Sequence, residues 1–351
     1  MTRIDDVEHA LRAQPKTWLV TGAAGFIGSH LVERLLTLGQ TVRGLDNYAT
    51  GHPENLDDVH YALGGERFAR FTMIEADIRD TDAMRAACEG VDVVLHQAAL
   101  GSVPRSIDDP ATSHAVNVDG FLSMLLGVKD AMKNGRAPSV VYASSSSVYG
   151  DEPSLPKIEE RTGRVLSPYA ATKAMNESMA SAFARAYGMR IVGLRYFNVV
   201  GSRQDPHGPY AAVVPRFASA LLDGKPATIF GDGETSRDFC PVENAVDANI
   251  LAAHAPESSS GRAYNVACGE QTTLKQLFAM LREAALTLSP NAARSLVVHE
   301  DFRKGDIRHS LASTDAIARD LGYAPRVDVK TALSRTMIAY AAAHAAATED
   351  A

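Results

Sequence analysis

A chain of 351 residues with 46% hydrophobic content is long enough for one large domain or two interleaved ones, each with a core of its own. Its 35 lysines and arginines against 42 acidic residues leave a net charge of −7, which argues against a phosphate-tracking nucleic-acid surface but leaves a few arginines to meet a small anion. Cys88, Cys240 and Cys268 are odd in number and widely spaced, no run reaches membrane-spanning length, and the N-terminus lacks an apolar signal core. The expectation is a cytosolic, soluble protein without a metal site or a membrane or nucleic-acid partner.

Ile4, Val7 and Leu11 recur at helical spacing before Pro15, predicting an amphipathic helix that packs as a lid. Trp18 to Val20 reads as a buried strand, Gly22, Gly25 and Gly28 as a tight turn, and Ile27, Leu31, Leu35 and Leu36 as the helix that follows. A second strand, Thr41 to Leu45, ends at Asp46, and residues Asn47 to Asp57 read as a polar loop. Further strands are predicted at Arg70–Ala76, Val91–His96, Val140–Ala143 and Arg190–Tyr196. Helical patterns at Met84–Cys88, His114–Asn134 and Pro168–Tyr187 separate them. Apolar strands alternating with helices predict a doubly wound parallel sheet. From about Val200 prolines and glycines break the rhythm, which predicts a smaller lobe. The alanine-rich end from Ala339 lacks an apolar face and is expected to fray.

A strand, a glycine turn and a helix make a site for pyrophosphate, because glycines admit close backbone approach and the helix N-terminus offers unpaired N–H groups. Glycines can also serve packing alone; the acid at the next strand end favours the dinucleotide. Asp46 there suits a ribose diol and disfavours a 2′-phosphate, so NAD is expected rather than NADP. Asp77, after the third strand, reads as a partner for adenine and almost as readily as a cap for the helix near Thr81. Gln97, Ala98 and Ala99 follow the fourth strand, and the small residues among them would let a cofactor lie against the backbone.

Ser167 and Pro168 are a cap and first-turn residue for a helix that sets Tyr169 and Lys173 one turn apart on one face. Tyr-x-x-x-Lys alone is commonly a surface pair, and Ser144 to Ser147 alone is a polar strand end. Together, beyond a nucleotide-binding sheet, they suggest a tyrosine general base. Its ordinary pKa of about 10 would be lowered by a nearby ammonium and an oxidised nicotinamide, with a serine bridging base and substrate.

On these residues the chain resembles the extended short-chain dehydrogenase/reductase family over nearly its whole length. The matching features are Gly22, Gly25 and Gly28, Tyr169 with Lys173, Ser145 counted back from Val148-Tyr149-Gly150, Asn117 in Val-Asn-Val-Asp-Gly, and Tyr196-Phe197-Asn198. Within the family it is similar to nucleotide-sugar 4-epimerases, and more narrowly to bacterial UDP-N-acetylhexosamine 4-epimerases. The phrases Gln97 to Ser106, Gly231 to Phe239 and Arg303 to Ser310 carry that likeness.

The resemblance implies a Rossmann-like α/β fold, with an NAD-binding domain over 1–199 and 238–267 and a UDP-sugar lobe over 200–237 and 268–351. It implies catalytic Tyr169, Lys173, Ser145 and Ser146. NAD contacts would come from Gly22, Gly25, Phe26, Ile27, Gly28, Asp46, Asn47, Asp77, Ile78, Gln97, Ala98, Ala99, Asn117, Lys173 and Tyr196. Asn198, Ala212, Arg237, Arg303, Asp306 and Ser310 would bind the UDP-sugar, the arginines suiting a diphosphate. Ser146 and Ser147 stand where dehydratase relatives place Asp-Glu, which points to oxidation and re-reduction at C4 without elimination. Ser310 falls on the family's size gate, and with the small Ala212 it leaves room for an N-acetyl group. UDP-glucose, UDP-galactose and a uronic-acid form are the alternative substrates, and a net dehydrogenase or a non-enzymatic NAD-binding protein are the alternative classes. Pro241 and Glu243 depart from the family's aromatic or histidine and aspartate, at an expected hinge between lobes. A homodimer through the helices at 114–134 and 168–187 is also implied.

Overall fold

Seven strands form one sheet: β1 (Thr17–Thr21), β2 (Thr41–Asp46), β3 (Phe71–Glu75), β4 (Val93–His96), β5 (Ser139–Ser145), β6 (Ile191–Tyr196) and β7 (Ala263–Val266). The computed structural model describes residues 2–206, 211–302 and 307–349. The strand order is β7-β6-β5-β4-β1-β2-β3 and every pairing is parallel. Both faces are covered, which is why Trp18, Leu19 and Val20 are all apolar and all fully buried instead of alternating. The order reverses between β4 and β1, and the crevice at the carboxyl ends of those strands is where ligands bind in such sheets. β7 escapes the sequence reading.

Helices α1 (Arg3–Ala13) and α2 (Phe26–Thr37) lie on one face, where Val7, Leu11, Leu31 and Leu35 share a core with Ile250 and Leu251. Residues 47–57 are not all loop. Helix α3 (Pro53–Leu63) starts inside them, with proline suited to its first turn and Leu56 and Val59 buried one turn apart. Helix α4 (Thr81–Cys88) is capped by Asp80, whose carboxylate accepts from the amides of Asp82 and Ala83 at 3.0 Å each. Asp77 is therefore not its cap. On the opposite face, α5 (Gly120–Lys133) and α6 (Pro168–Tyr187) pack Phe121, Leu125, Val128 and Ala180 beside Met84 of α4. The winding that leads into α5 widens to a π-type turn over Ala115–Asp119, inside the helix predicted from His114. Ser167 caps α6 as predicted, accepting from the Ala170 amide at 3.1 Å.

A second core joins α7 (Val213–Asp223), α9 (Leu274–Leu286) and α10 (Val329–Glu349) through Phe217, Leu221, Leu277, Leu281 and Leu333. Between α7 and α9 in the chain, α8 (Val242–Ala253) returns to the first core. Ala316, Ile317, Leu321 and Tyr323, in the stretch expected to belong to the sugar lobe, also pack in the first core. Pro241 pairs with Val200 in a two-residue parallel ladder, and Glu243 accepts from Arg335 of α10 at 3.0 Å, so the departure from the family pattern lies where the two cores meet. The alanine-rich end is helical to Glu349, favoured by alanine's propensity and anchored where His344 Nε2 lies 2.8 Å from Asp223 Oδ1. No helix among the described residues is long and apolar enough to cross a membrane.

Candidate active site

A cavity of about 600 Å³ opens at the sheet's switch point. Its floor is the glycine turn. The Gly22 amide donates to the Leu45 carbonyl at 2.8 Å, and the residue sits at φ +70°, where a Cβ would come within 2.8 Å of the Ala98 amide nitrogen. A Cβ on Gly28 would lie 1.9 Å from the Gly22 carbonyl oxygen, so this glycine brings helix and turn together. Gly25 would meet only the Gly22 oxygen, at 3.2 Å, and as the residue before α2 it offers no side-chain cap. The first amides of α2 are thus left for a ligand, an electrostatic fit for phosphate.

Asp46 ends β2 in the cavity wall and is 8% exposed. Its oxygens accept from the amides of Ala24 (3.0 Å) and Tyr48 (2.9 Å), while burial pushes its pKa up. A buried carboxylate with lone pairs to spare fits the hydroxyls of a ribose, and a 2′-phosphate beside it would add like charge. Asp77 accepts from Asn47 Nδ2 at 2.9 Å and from the guanidinium of Arg79, bonds that hold its carboxyl down at about 2. Asn47, Asp77 and Ile78 line the same end of the chamber with Asp46. The residues present therefore fit a dinucleotide.

At the other end, β5 delivers Ser144 and Ser145, the turn after it delivers Ser146, and α6 delivers Tyr169 and Lys173. The Ser145 hydroxyl caps the short turn after β5 by accepting from the Ser147 amide at 3.1 Å, and it stands where it favours the charged form of the Tyr169 phenol. Burial raises the Tyr169 phenol while that hydroxyl pulls it down, burial being the larger effect. Lys173 Nζ donates to the Ala143 carbonyl at 2.8 Å and lies 5.9 Å from the Tyr169 ring centre. Burial lowers the Lys173 ammonium to about 8. The expected lowering of Tyr169 is by this ammonium and an oxidised nicotinamide together; in the protein alone burial is the larger influence.

Two sets of supports escape the sequence reading. Glu177, one turn beyond Lys173, accepts from Ser144 Oγ at 2.6 Å and pairs with Arg195 at 2.9 and 2.8 Å. Asn249 of α8 closes a triangle in which its Nδ2 donates to Tyr196 Oη (2.7 Å), Tyr196 donates to Gln97 Oε1 (3.0 Å), and Gln97 Nε2 donates to Asn249 Oδ1 (3.0 Å). Asn117 is buried and off the wall. It accepts from the Leu100 amide at 2.8 Å and donates to Thr172 Oγ1 at 3.2 Å, which fixes the loop after Ala99 against α6. The π-type turn aims it there.

Asn198 lies on the walls of this chamber and of a neighbouring cavity of about 250 Å³, which Ala212, Arg216, Phe230, Arg237 and Phe302 also line. Ser310 lines neither cavity; its amide donates to the Ser236 carbonyl at 3.1 Å, beside Arg237. Arg303 and Asp306 lie outside the described residues.

The profile of the NAD dependent epimerase/dehydratase family matches residues 18–267. Mycolicibacterium smegmatis UDP-glucose 4-epimerase is 37% identical over 91% of this chain and 96% of its own. Among solved structures, UDP-N-acetylglucosamine 4-epimerase from Methanobrevibacter ruminantium in complex with UDP-N-acetylmuramic acid shares 36% identity at a TM-score of 0.84, over 94% of this chain and 99% of that one. The NAD complex of Thermus thermophilus UDP-glucose 4-epimerase shares 34% at 0.78, over 92% and 98%.

Proposed function

Since the chain belongs to the NAD dependent epimerase/dehydratase family, we propose that it interconverts the C4 epimers of a UDP-hexose, with UDP-N-acetylglucosamine and UDP-N-acetylgalactosamine as the favoured pair. The observation that supports this reading is the meeting of Ser145, Tyr169 and Lys173 at one end of the chamber whose other end carries the glycine turn and Asp46. NAD when bound supplies the reversible two-electron oxidation of the sugar at C4.

The residues divide the remaining work. Tyr169, through Ser145, takes the proton of the sugar 4-hydroxyl and returns it after the ring has turned over; the Ser145 hydroxyl can donate to one oxygen while accepting from another. Lys173 holds its charge at neutral pH despite burial, since its pKa of about 8 lies above 7. Ser146 and Ser147 offer no acid or base for elimination. The adjoining cavity suits the nucleotide end, with Arg237 for phosphate oxygens and Phe230 for an apolar base face. The acetylated sugar is favoured on the family positions of the small Ser310 and Ala212, of which Ala212 lies on this wall. The name of the Methanobrevibacter relative agrees with that choice, and that of the Mycolicibacterium relative keeps UDP-glucose and UDP-galactose as the second reading. A homodimer through α5 and α6, which expose Leu122, Met175 and Tyr187, belongs to the same proposal.

The test incubates the protein separately with UDP-N-acetylglucosamine and UDP-glucose without added reductant and resolves the sugar nucleotides by NMR. A galacto epimer formed mainly from the acetylated substrate is expected. Preference for UDP-glucose would overturn the substrate, and a 4-keto product or accumulating NADH would overturn epimerisation.

A further inference from the structure

Beyond Asn198 the chain runs back against the two helices that flank the cofactor cavity. A Cβ on Gly201 would lie 3.1 Å from the Phe26 ring, which places this segment on the first residue of α2. Ser202 Oγ then lies 3.2 Å from His30 Nε2, and Asp205 lies 3.5 Å from His52. From behind, Tyr340 of α10 donates to the Gln204 carbonyl. Ser202 to Asp205 is thus a strap tied to both α2 and the turn before α3.

Arg203 is the unusual residue in it. Its φ is +61°, a left-handed conformation that non-glycine residues rarely adopt and that is found where surroundings impose it. The side chain is only 10% exposed and forms part of the cavity wall together with Gly25, Phe26, His52 and Asn55. Glu33 Oε2 lies 2.7 Å from Nη1 and Asp58 Oδ2 lies 3.7 Å from Nε, but neither contact has hydrogen-bond geometry. Both nitrogens are buried without a hydrogen-bond partner among the described residues. Those two nitrogens are closed off from the cavity on the side of the carboxylates, so a ligand meets the part of the side chain that lines the wall beside Gly25 and Phe26.

A guanidinium on that wall, beside the free amides that open α2, calls for an anion, and the cavity belongs to a dinucleotide whose only anionic groups are its two phosphates. We propose that Arg203 is a cofactor-binding residue that donates to a phosphate oxygen of NAD, complementing the free amides of α2. The ion pair with Glu33 holds the guanidinium at the wall, and the strap gives the chain a grip on its cofactor that the glycine turn alone does not provide. This inference stands on the cofactor and is independent of which sugar is turned over.

The experiment titrates the full-length protein, stripped of dinucleotide, with ADP and with adenosine by calorimetry. Arg203→Gln is expected to weaken ADP by about 10- to 100-fold, the worth of a charge-assisted hydrogen bond, and to leave adenosine within about twofold. Arg203→Lys, which keeps the charge but loses the fork, should fall between. Equal losses for ADP and adenosine would reduce Arg203 to a structural tie and overturn the proposal, as would unchanged binding of both. Should the glutamine variant fail to fold, the lysine variant decides on the same comparison: a loss confined to ADP supports the assignment, and a loss shared or absent overturns it.

Discussion

Glu177 and Arg195 form a two-pronged ion pair beneath α6, with N–O distances of 2.9 and 2.8 Å and the arginine side chain only 7% exposed. The carboxylate also takes the Ser144 hydroxyl, so one side chain ties α6 to β5 and β6. Removing one member of a buried pair strands the other, which typically costs about 3–5 kcal/mol. Glu177→Gln should lower the unfolding free energy by that order. Because the Glu177 charge also raises the Lys173 pKa, the variant should move the Lys173 limb of the pH–rate profile to lower pH. A profile that keeps its shape while stability falls would make Glu177 structural only.

Tyr169→Phe removes the proposed base but leaves the ring, the helix cap and the bond from its own amide to Ser106 Oγ at 3.0 Å. Turnover is expected to fall by roughly 10²–10⁴-fold, the usual worth of general acid–base catalysis, with UDP affinity nearly unchanged. Loss of UDP affinity in proportion to turnover would show that the hydroxyl serves binding.

Asp46→Asn relieves a buried carboxylate and weakens the acceptor facing the ribose. NAD affinity should drop by about 10-fold or more, and the preference over NADP should narrow, because like-charge repulsion of a 2′-phosphate disappears. Titration of both dinucleotides checks this; an unchanged ratio would show that Asp46 does not discriminate.

The cofactor half of the site was legible because its signals are local. Glycine spacing, the acid ending β2 and the Ser167 cap each act within a few residues. The placement of Tyr169 and Lys173 on one wall was legible for the same reason, through one helical turn. What was not legible depends on distant pairing. Arg195 is 18 residues from Glu177, and Asn249 is 152 from Gln97. Helix α3 carried a readable signal, Pro53 followed by Leu56 and Val59, but its polar remainder resembles a loop. Ser310 shows the converse risk, since a position matched by family pattern carries no guarantee of where its side chain falls. For Tyr169, burial acts against the lowering expected from the ammonium and an oxidised nicotinamide together, a balance that includes the bound cofactor.

Asp238 gives the clearest dependence on pH. It is fully buried and accepts from the amides of Cys268, Gly269 and Ala312, each at 3.1 Å, so it fastens the turn after β7 to the segment near Ala312. Burial outweighs those bonds and lifts its carboxyl from 3.8 to about 6. Between these values the folded chain holds a proton that the unfolded chain releases, so stability declines as pH rises through the window and stays reduced above it. The loss is on the order of 3 kcal/mol for a shift of this size. Asp238→Asn cannot ionise and removes that slope, although it weakens the grip on the three amides and lowers stability in acid. Urea unfolding of both proteins at pH 4 and pH 7 should show the gap between them closing at the higher pH. A gap that is the same at both would mean that the three amides keep Asp238 ionised throughout.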